Sequence, residues 1–203
     1  MQIRFADARP TGGYALVLPV AGLDRSALAS LGGDRAAIES AARAQRFDGQ
    51  SGEVAEAWSS GGDEQVRRVL LVGTGEGERG AAAEKLGGTV TARLLTSGET
   101  RAVIDLSGLG FEADAAAKVA FAAVARAWRH DRYRTKLKDK QKPSLTEIVI
   151  VGAGEGAEGR FTSRWQPLLD GVAMARELVT EPANIIYPAT FVERVTAAAQ
   201  GSG

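Results

Sequence analysis

A chain of 203 residues and 21.2 kDa has room for one sizeable core and a small annex. Hydrophobic residues make up 44%, and 25 Lys and Arg balance 25 Asp and Glu, so no net charge draws the chain toward nucleic acid or a membrane. The lack of cysteine excludes disulfides and thiol chemistry and fits a reducing, cytoplasmic setting; the start "MQIRFADARP" lacks the apolar centre of a signal peptide, and no run approaches the ~20 apolar residues of a membrane-spanning helix.

In chain order, "QIRFA" near the start reads as a weak, half-exposed strand and "YALVLPV" (14–20) as a buried one. Residues 24–47 predict two short helices broken at Gly32-Gly33. "GEVAEAWS" (52–59) alternates as an edge strand does, and "VRRVLLVG" (66–73) is a second buried strand. Ala83, Leu86, Val90 and Leu94 recur at helical spacing; "TRAVIDLSG" (100–108) follows as a strand, then a stripe of Ala117, Phe121, Val124 and Trp128. "TEIVIVG" (146–152) is the last buried strand, and Leu168, Val172, Ala175 and Val179 form a third helical stripe. Strands alternating with helices predict an α/β fold: a mixed, largely parallel sheet flanked by helices on both faces. The initial strands are separated by short turns, so part of the sheet is expected to be antiparallel.

Two loops match G-x-G-x-x-G after a strong strand: "VGTGEGERG" with Gly75, Gly77 and Gly80, and "VGAGEGAEG" with Gly154, Gly156 and Gly159. Such glycines let a backbone approach a pyrophosphate that rests on the next helix. Charge argues against that here, because Glu76 and Glu78 lie in the first loop and Glu155 and Glu158 in the second. Placement argues against it too, since the next helix after the second loop is expected only near Arg164, and Glu99, the one acid at the ribose-contact spacing, falls in a turn. The glycines read as turn formers.

His130 is the one histidine, and with no second His and no Cys a zinc site of the usual kind is not available; no Ser-His-Asp constellation announces itself either. At a helix end beside Asp131 it reads as a cap or surface residue. The run Arg126 to Lys142 holds eight Lys or Arg against two Asp. It reads either as a solvated connector or as a contact surface for a neighbouring subunit or nucleic acid. No catalytic, cofactor-binding or metal-binding residue can be nominated in this chain.

In "LVTEPANIIYP", Leu178 and Val179 close a helix, Glu181 and Pro182 stop it, Asn184 is placed to satisfy the turn, and Pro188 suits the first turn of "PATFVERVTAAAQ". That last helix offers Phe191, Val192 and Val195 on one side.

"ARELVTEPANIIYPATFVERV" resembles the segment linking the two domains of leucyl (cytosol) aminopeptidases, with Leu178, Val179, Glu181, Pro182, Asn184 and Pro188 at the matching places. "WRHDRYRTKLK" is similar to that family's aromatic-x-x-Asp-x-Tyr-Lys-x-Lys segment, with Arg134 where Lys is usual. "VLLVGTGEG" is similar to a strand end of the family, with Thr74 where Leu is common. The resemblance implies a macro-domain-like, non-catalytic N-terminal domain over 1–160, and over 161–203 a linker helix and the first residues leading into a catalytic domain absent here, "QGSG" then being a cut end. It further implies a cytoplasmic, hexameric hydrolase that removes N-terminal amino acids from peptides, with two divalent ions (Mn or Zn) held in the absent domain, so that this chain alone is inactive. The alternative is a stand-alone macro-like module binding an ADP-ribose-type ligand at the glycine loops. A DNA-binding accessory domain rests on the basic run alone.

Overall fold

A computed structural model describes residues 1–22, 26–60, 66–76 and 79–200. Six strands form one sheet: β1 Gln2–Ala6, β2 Ala15–Val20, β3 Val54–Ser59, β4 Arg67–Gly73, β5 Arg101–Asp105 and β6 Glu147–Val151. Their spatial order is β1-β6-β5-β2-β4-β3. Every pairing is parallel except that of β3 with β4. The antiparallel part expected of the sheet is the β3–β4 pair. β1 skips its sequence neighbour and joins β6 at the far edge, Gln2 opposite Glu147, where Glu147 binds both Arg4 and Arg101 across three strands.

The four runs read as buried strands are covered on both faces, which is why they lack polar alternation. Ala15, Val17, Leu70, Val72, Ala102, Ile104, Ile148 and Ile150 point into one core. Leu16, Leu18, Val69, Leu71, Val103 and Val149 point into the other. Pro19 lies past Val17, where pairing with β5 has ended, so β2 has no ladder to lose on that side.

The second core is closed by a 3₁₀ segment, Ser26–Asp34, and helix α1, Arg35–Ala44, through Leu28, Ile38 and Ala42. The expected break falls inside the 3₁₀ segment, at Gly32, whose φ of 55° and ψ of −127° leave the helical region. Asp24 lies outside the described residues.

Helices α2, Arg79–Leu94, and α3, Ala113–Ala127, cover the first core. Leu86, Val90 and Leu94 of α2 are buried, each worth roughly 1.5–3 kcal/mol of apolar burial. The two helices come very close because α3 offers Ala116, Ala117, Ala120 and Ala123. At the contact, a Cβ on Gly87 would lie 2.1 Å from the Val119 carbonyl oxygen, and the Thr91 hydroxyl donates to the Ala123 carbonyl at 3.0 Å.

After β6 the chain turns at once into helix α4, Ala157–Arg160, continues through a π-helical turn, Phe161–Trp165, and becomes α5, Gln166–Thr180. This corrects the expected start near Arg164. It also corrects the helix face. Phe161, Trp165 and Leu169 are the buried positions, whereas Leu168 and Val179 of the expected stripe are exposed, Val179 at 87%. Trp165 packs on Phe121 at 5.0 Å, and its indole N–H donates to Asp114 at 3.1 Å. The last helix, α6, spans Pro188–Ala199 and has no buried residue. No described helix is long and apolar enough to cross a membrane.

Candidate functional site at the helix junction

The carboxyl ends of parallel strands are where open α/β sheets hold ligands, and both glycine loops arrive there. In the first loop, Gly73 accepts from the Gly52 amide and donates to the Glu53 carbonyl, both at 2.9 Å. The Thr74 amide donates to Val20, and the Gly75 amide to Gly49. A Cβ on Gly73 would fall 2.0 Å from the Gln50 carbonyl oxygen, and one on Gly22 would fall 3.1 Å from the Glu76 carboxylate. Gly77 and Glu78 lie outside the described residues.

In the second loop, Gly152 has a φ of 69°, and a Cβ there would meet the Ser107 amide nitrogen at 2.6 Å. Between the loops, Asp105 accepts from the Ser107 amide at 2.9 Å and from Arg9 Nε at 2.6 Å, and Arg9 also donates to Ser30. Close approach of the chain to itself thus accounts for Gly73 and Gly152, whereas Gly75, Gly154 and Gly156 hold the positive φ of the turns, with acids beside them. Helix α4 does begin directly after Gly156, so the placement argument against a pyrophosphate fails for this loop. The charge argument stands on Glu155 and Glu158. Gly159 sits inside the helix, and Glu99 donates its amide to Ser97 in a turn.

The polar side chains converge elsewhere. Helix α5 ends at Glu181, whose extended backbone (φ −63°, ψ 140°) leads into Pro182. The turn is then closed by the Ile185 and Ile186 amides, which donate to the Pro182 carbonyl at 2.8 and 3.0 Å. The Asn184 side chain makes no hydrogen bond among the described residues, so its expected part in the turn is not taken. Pro188 opens α6 as expected, and Thr190 ties the start by accepting from the Tyr187 amide at 3.0 Å and donating to the Ile185 carbonyl at 2.9 Å.

The Glu181 side chain is wholly withdrawn from solvent. The Tyr133 hydroxyl donates to one carboxylate oxygen, and Arg132 donates to the other at 3.1 Å. His130 Nε2 and the Arg194 guanidinium each lie 3.8 Å from it. The Tyr133 hydrogen bond, helped by the Arg132, His130 and Arg194 charges, holds the carboxyl below the usual carboxylate range against the opposing cost of burial. The same bond, with some burial, raises the Tyr133 phenol above its ordinary value.

His130 is therefore not the surface or cap residue expected. Its side chain is 14% exposed. The ring lies between Trp128, 6.2 Å away and nearly parallel, and Tyr133 at 5.5 Å. Nε2 is buried without a hydrogen-bond partner among the described residues. Nearby, Arg176 donates to the Ala125 carbonyl at 2.6 Å and covers Trp128, pinning α5 to the end of α3.

The basic run divides in two. Arg129 pairs with Asp131 at 2.6 Å and donates to the Gln141 carbonyl, while Lys142 pairs with Asp139 at 2.8 Å. Lys136, Lys138 and Lys140 are exposed and form no ion pair among the described residues. A groove of about 770 Å³ lies between α5 and α6, lined by Arg132, Asp170, Met174, Glu177, Leu178 and Arg194 among others. The described residues hold no group of three or more His, Cys, Asp or Glu able to bind a metal ion.

A mostly parallel six-stranded sheet with a core on each face, prolonged into a helical connector, defines an α/β domain. The comparisons make that specific. The profile described as "Cytosol aminopeptidase family, N-terminal domain" matches residues 25–137. A probable cytosol aminopeptidase of Afipia carboxidovorans is 33% identical over 162 residues, covering 77% of this chain and 32% of the relative. One of Caulobacter vibrioides is 31% identical over 200 residues, covering 96% and 40%. A mutant of tomato leucine aminopeptidase superposes with a TM-score of 0.82 at 23% identity, over 98% of this chain and 42% of that one. The bottromycin maturation enzyme BotP, solved with Mn, superposes with a TM-score of 0.65 at 21% identity, over 93% and 36%. The chain belongs to the cytosol aminopeptidase family, as its N-terminal domain. It spans about a third of the length of its first curated relatives. Nothing supports the macro-module alternative.

Proposed function

We propose that this chain is the non-catalytic, assembling and positioning domain of a leucyl aminopeptidase that removes N-terminal amino acids from peptides. Residues 1–160 form the domain proper. Residues 161–203 are the connector to a catalytic domain of the same polypeptide, with the helix that starts at Ala157 running across that boundary. The residues present do not suit two divalent ions: there is one histidine, no cysteine, and no metal-binding group among the described residues. The pair of Mn or Zn ions is therefore assigned to the catalytic domain, and no chemical step is assigned to this chain.

The observation that carries this reading is the bare apolar face of the connector. Leu168, Val179, Tyr187, Phe191, Val192 and Val195 are exposed along α5 and α6, Val192 at 61%. Apolar side chains in such a run suit burial against another body, and the catalytic domain is its assigned partner. The lysines of 136–140, which form no ion pair among the described residues, suit a second role, as a contact with an acidic surface of a neighbouring subunit in a cytoplasmic hexamer. The test is an assay of the purified chain on aminoacyl amides with added Mn or Zn. No hydrolysis is expected; metal-dependent release of the amino acid by this chain alone would overturn the reading.

A further inference from the structure

Helix α6 follows the domain with no residue buried. The polar ties back to α5 run through Arg194, 3.6 Å from Glu177 and 3.8 Å from Glu181. Glu181 in turn is gripped from the domain side by Tyr133 and Arg132, 48 and 49 positions earlier in the chain. One carboxylate thus stands between the loop after α3 and the helix that leaves the domain. Its backbone is also the point where α5 stops and Pro182 begins.

We propose that Glu181 is a positioning residue that locks the hinge between the domain and α6, and that the lock depends on its negative charge. The inference rests on the reading of this chain as a positioning domain. Each neighbour of the carboxylate is a donor or a cation: the Tyr133 hydroxyl, Arg132, Arg194 and His130 Nε2. The other charged groups facing the same place are Glu177 on α5, and Asp131, Arg129, Arg126 and Arg134 around His130. With the carboxylate charged, the cations from the loop and from α6 share one counter-ion. With it neutral, Arg132 and Arg194 face each other across a group that no longer attracts either, and α6 keeps only the half-exposed Arg194–Glu177 pair, with no buried side chain to hold it in place. One residue carries the tie on the domain side and the buried one of the two ties on the α6 side.

The protein contains no cysteine, so a pair can be introduced cleanly. Spin labels at Glu84→Cys, exposed on α2, and Thr196→Cys, exposed on α6, report the hinge directly. At neutral pH the parent chain is expected to show one narrow distance. Glu181→Gln, which keeps the shape and removes the charge, is expected to broaden it into several. Tyr133→Phe, which removes one donor from a half-exposed ring and leaves the core intact, is expected to broaden it less, and Glu181→Asp to recover part of the narrow population. A second label pair on α2 and α1 should stay unchanged throughout, separating hinge release from unfolding. An unchanged α2–α6 distance in both Glu181→Gln and Tyr133→Phe would overturn the proposal. That outcome would leave the domain's place in an aminopeptidase untouched, since the activity assay tests that separately.

Discussion

The Tyr133 hydroxyl donates to the Glu181 carboxylate, joining the loop behind α3 to the cap of α5 across 48 positions of sequence. The bond moves both partners in opposite directions, the acid down and the phenol up. For Glu181, a folded-state pKa below the unfolded one makes a stabilising contribution that is complete above the ordinary carboxylate value of 4.5. It is lost as pH falls through the lower, folded value. Thermal melts of parent and Glu181→Gln are expected to differ at neutral pH and to converge on acidification. A gap that stays constant down to the acid limit would contradict the assignment.

For Tyr133 the sign reverses. A raised phenol pKa contributes stability below the ordinary value of 10.0, and the contribution is lost as pH rises through the folded value. Phenolate absorbance is expected to show a late step above that value in the parent protein. The step should be missing in Tyr133→Phe and should move down in Glu181→Gln.

Two adjacent glycines in α2 are expected to respond oppositely to alanine. At Gly88 an added Cβ meets nothing within 4 Å, so the gain in helix propensity, about 1 kcal/mol, should appear as added stability. At Gly87 the same methyl would lie 2.1 Å from the Val119 carbonyl oxygen, and neither helix backbone can give way cheaply. Forcing α2 and α3 apart should cost about 1–3 kcal/mol and outweigh the propensity gain. Urea unfolding of the two variants is the direct check. Equal stabilisation of both would mean that the helices are not in backbone contact there.

Titration with ADP-ribose or NAD is expected to release no heat of binding. Gly73 packs on the chain's own Gln50 carbonyl and Gly152 on Ser107, Glu76 projects its carboxylate toward Gly22, and Glu155 and Glu158 stand in the second loop, where a phosphate would need donors. Saturable micromolar binding lost in a bulky Gly154 variant would restore the module reading.

In the longer enzyme, neutralising Lys136, Lys138, Lys140 and Lys142 together should shift assembly or activity, and more so at low salt. Exposed pairs give only about 0.2–1 kcal/mol each, so several must act together. Lys142 already has Asp139 and should matter least. Sedimentation and kinetics that match the unmodified enzyme at every salt concentration would leave the loop a plain connector.

The strands were readable because Leu70–Val72 and Ile148–Val151 are covered on both faces and must be continuously apolar. The partner of β1 was not, since a pairing across the whole domain leaves no trace in the local spacing. The α4 start was hidden by three glycines in six residues, which suit a loop better than the helix into which Gly159 is drawn. The π turn at Phe161–Trp165 adds to the difficulty, because it breaks the regular spacing on which a helical stripe is read. At the junction, Glu181 was legible as a helix stop but not as a hub. Its four partners lie on two other segments, and the one local sign was the aromatic-rich "WRHDRYR" upstream.

The β1–β6 pairing also imposes an order in time. Arg4 waits for Glu147, 143 positions behind it, before its edge of the sheet exists. At about 5–20 residues added per second, the first strand to be synthesised stays single for roughly 7–30 s, long after β2 and β4 have their partners within reach. Once β5 has been made, it exposes a bare parallel edge until β6 arrives, the kind of surface on which a nascent chain mispairs. A short β1 that turns Ile3 and Phe5 to one core and only the small Ala6 to the other, with an arginine between the first two, is a strand that can afford to wait in water.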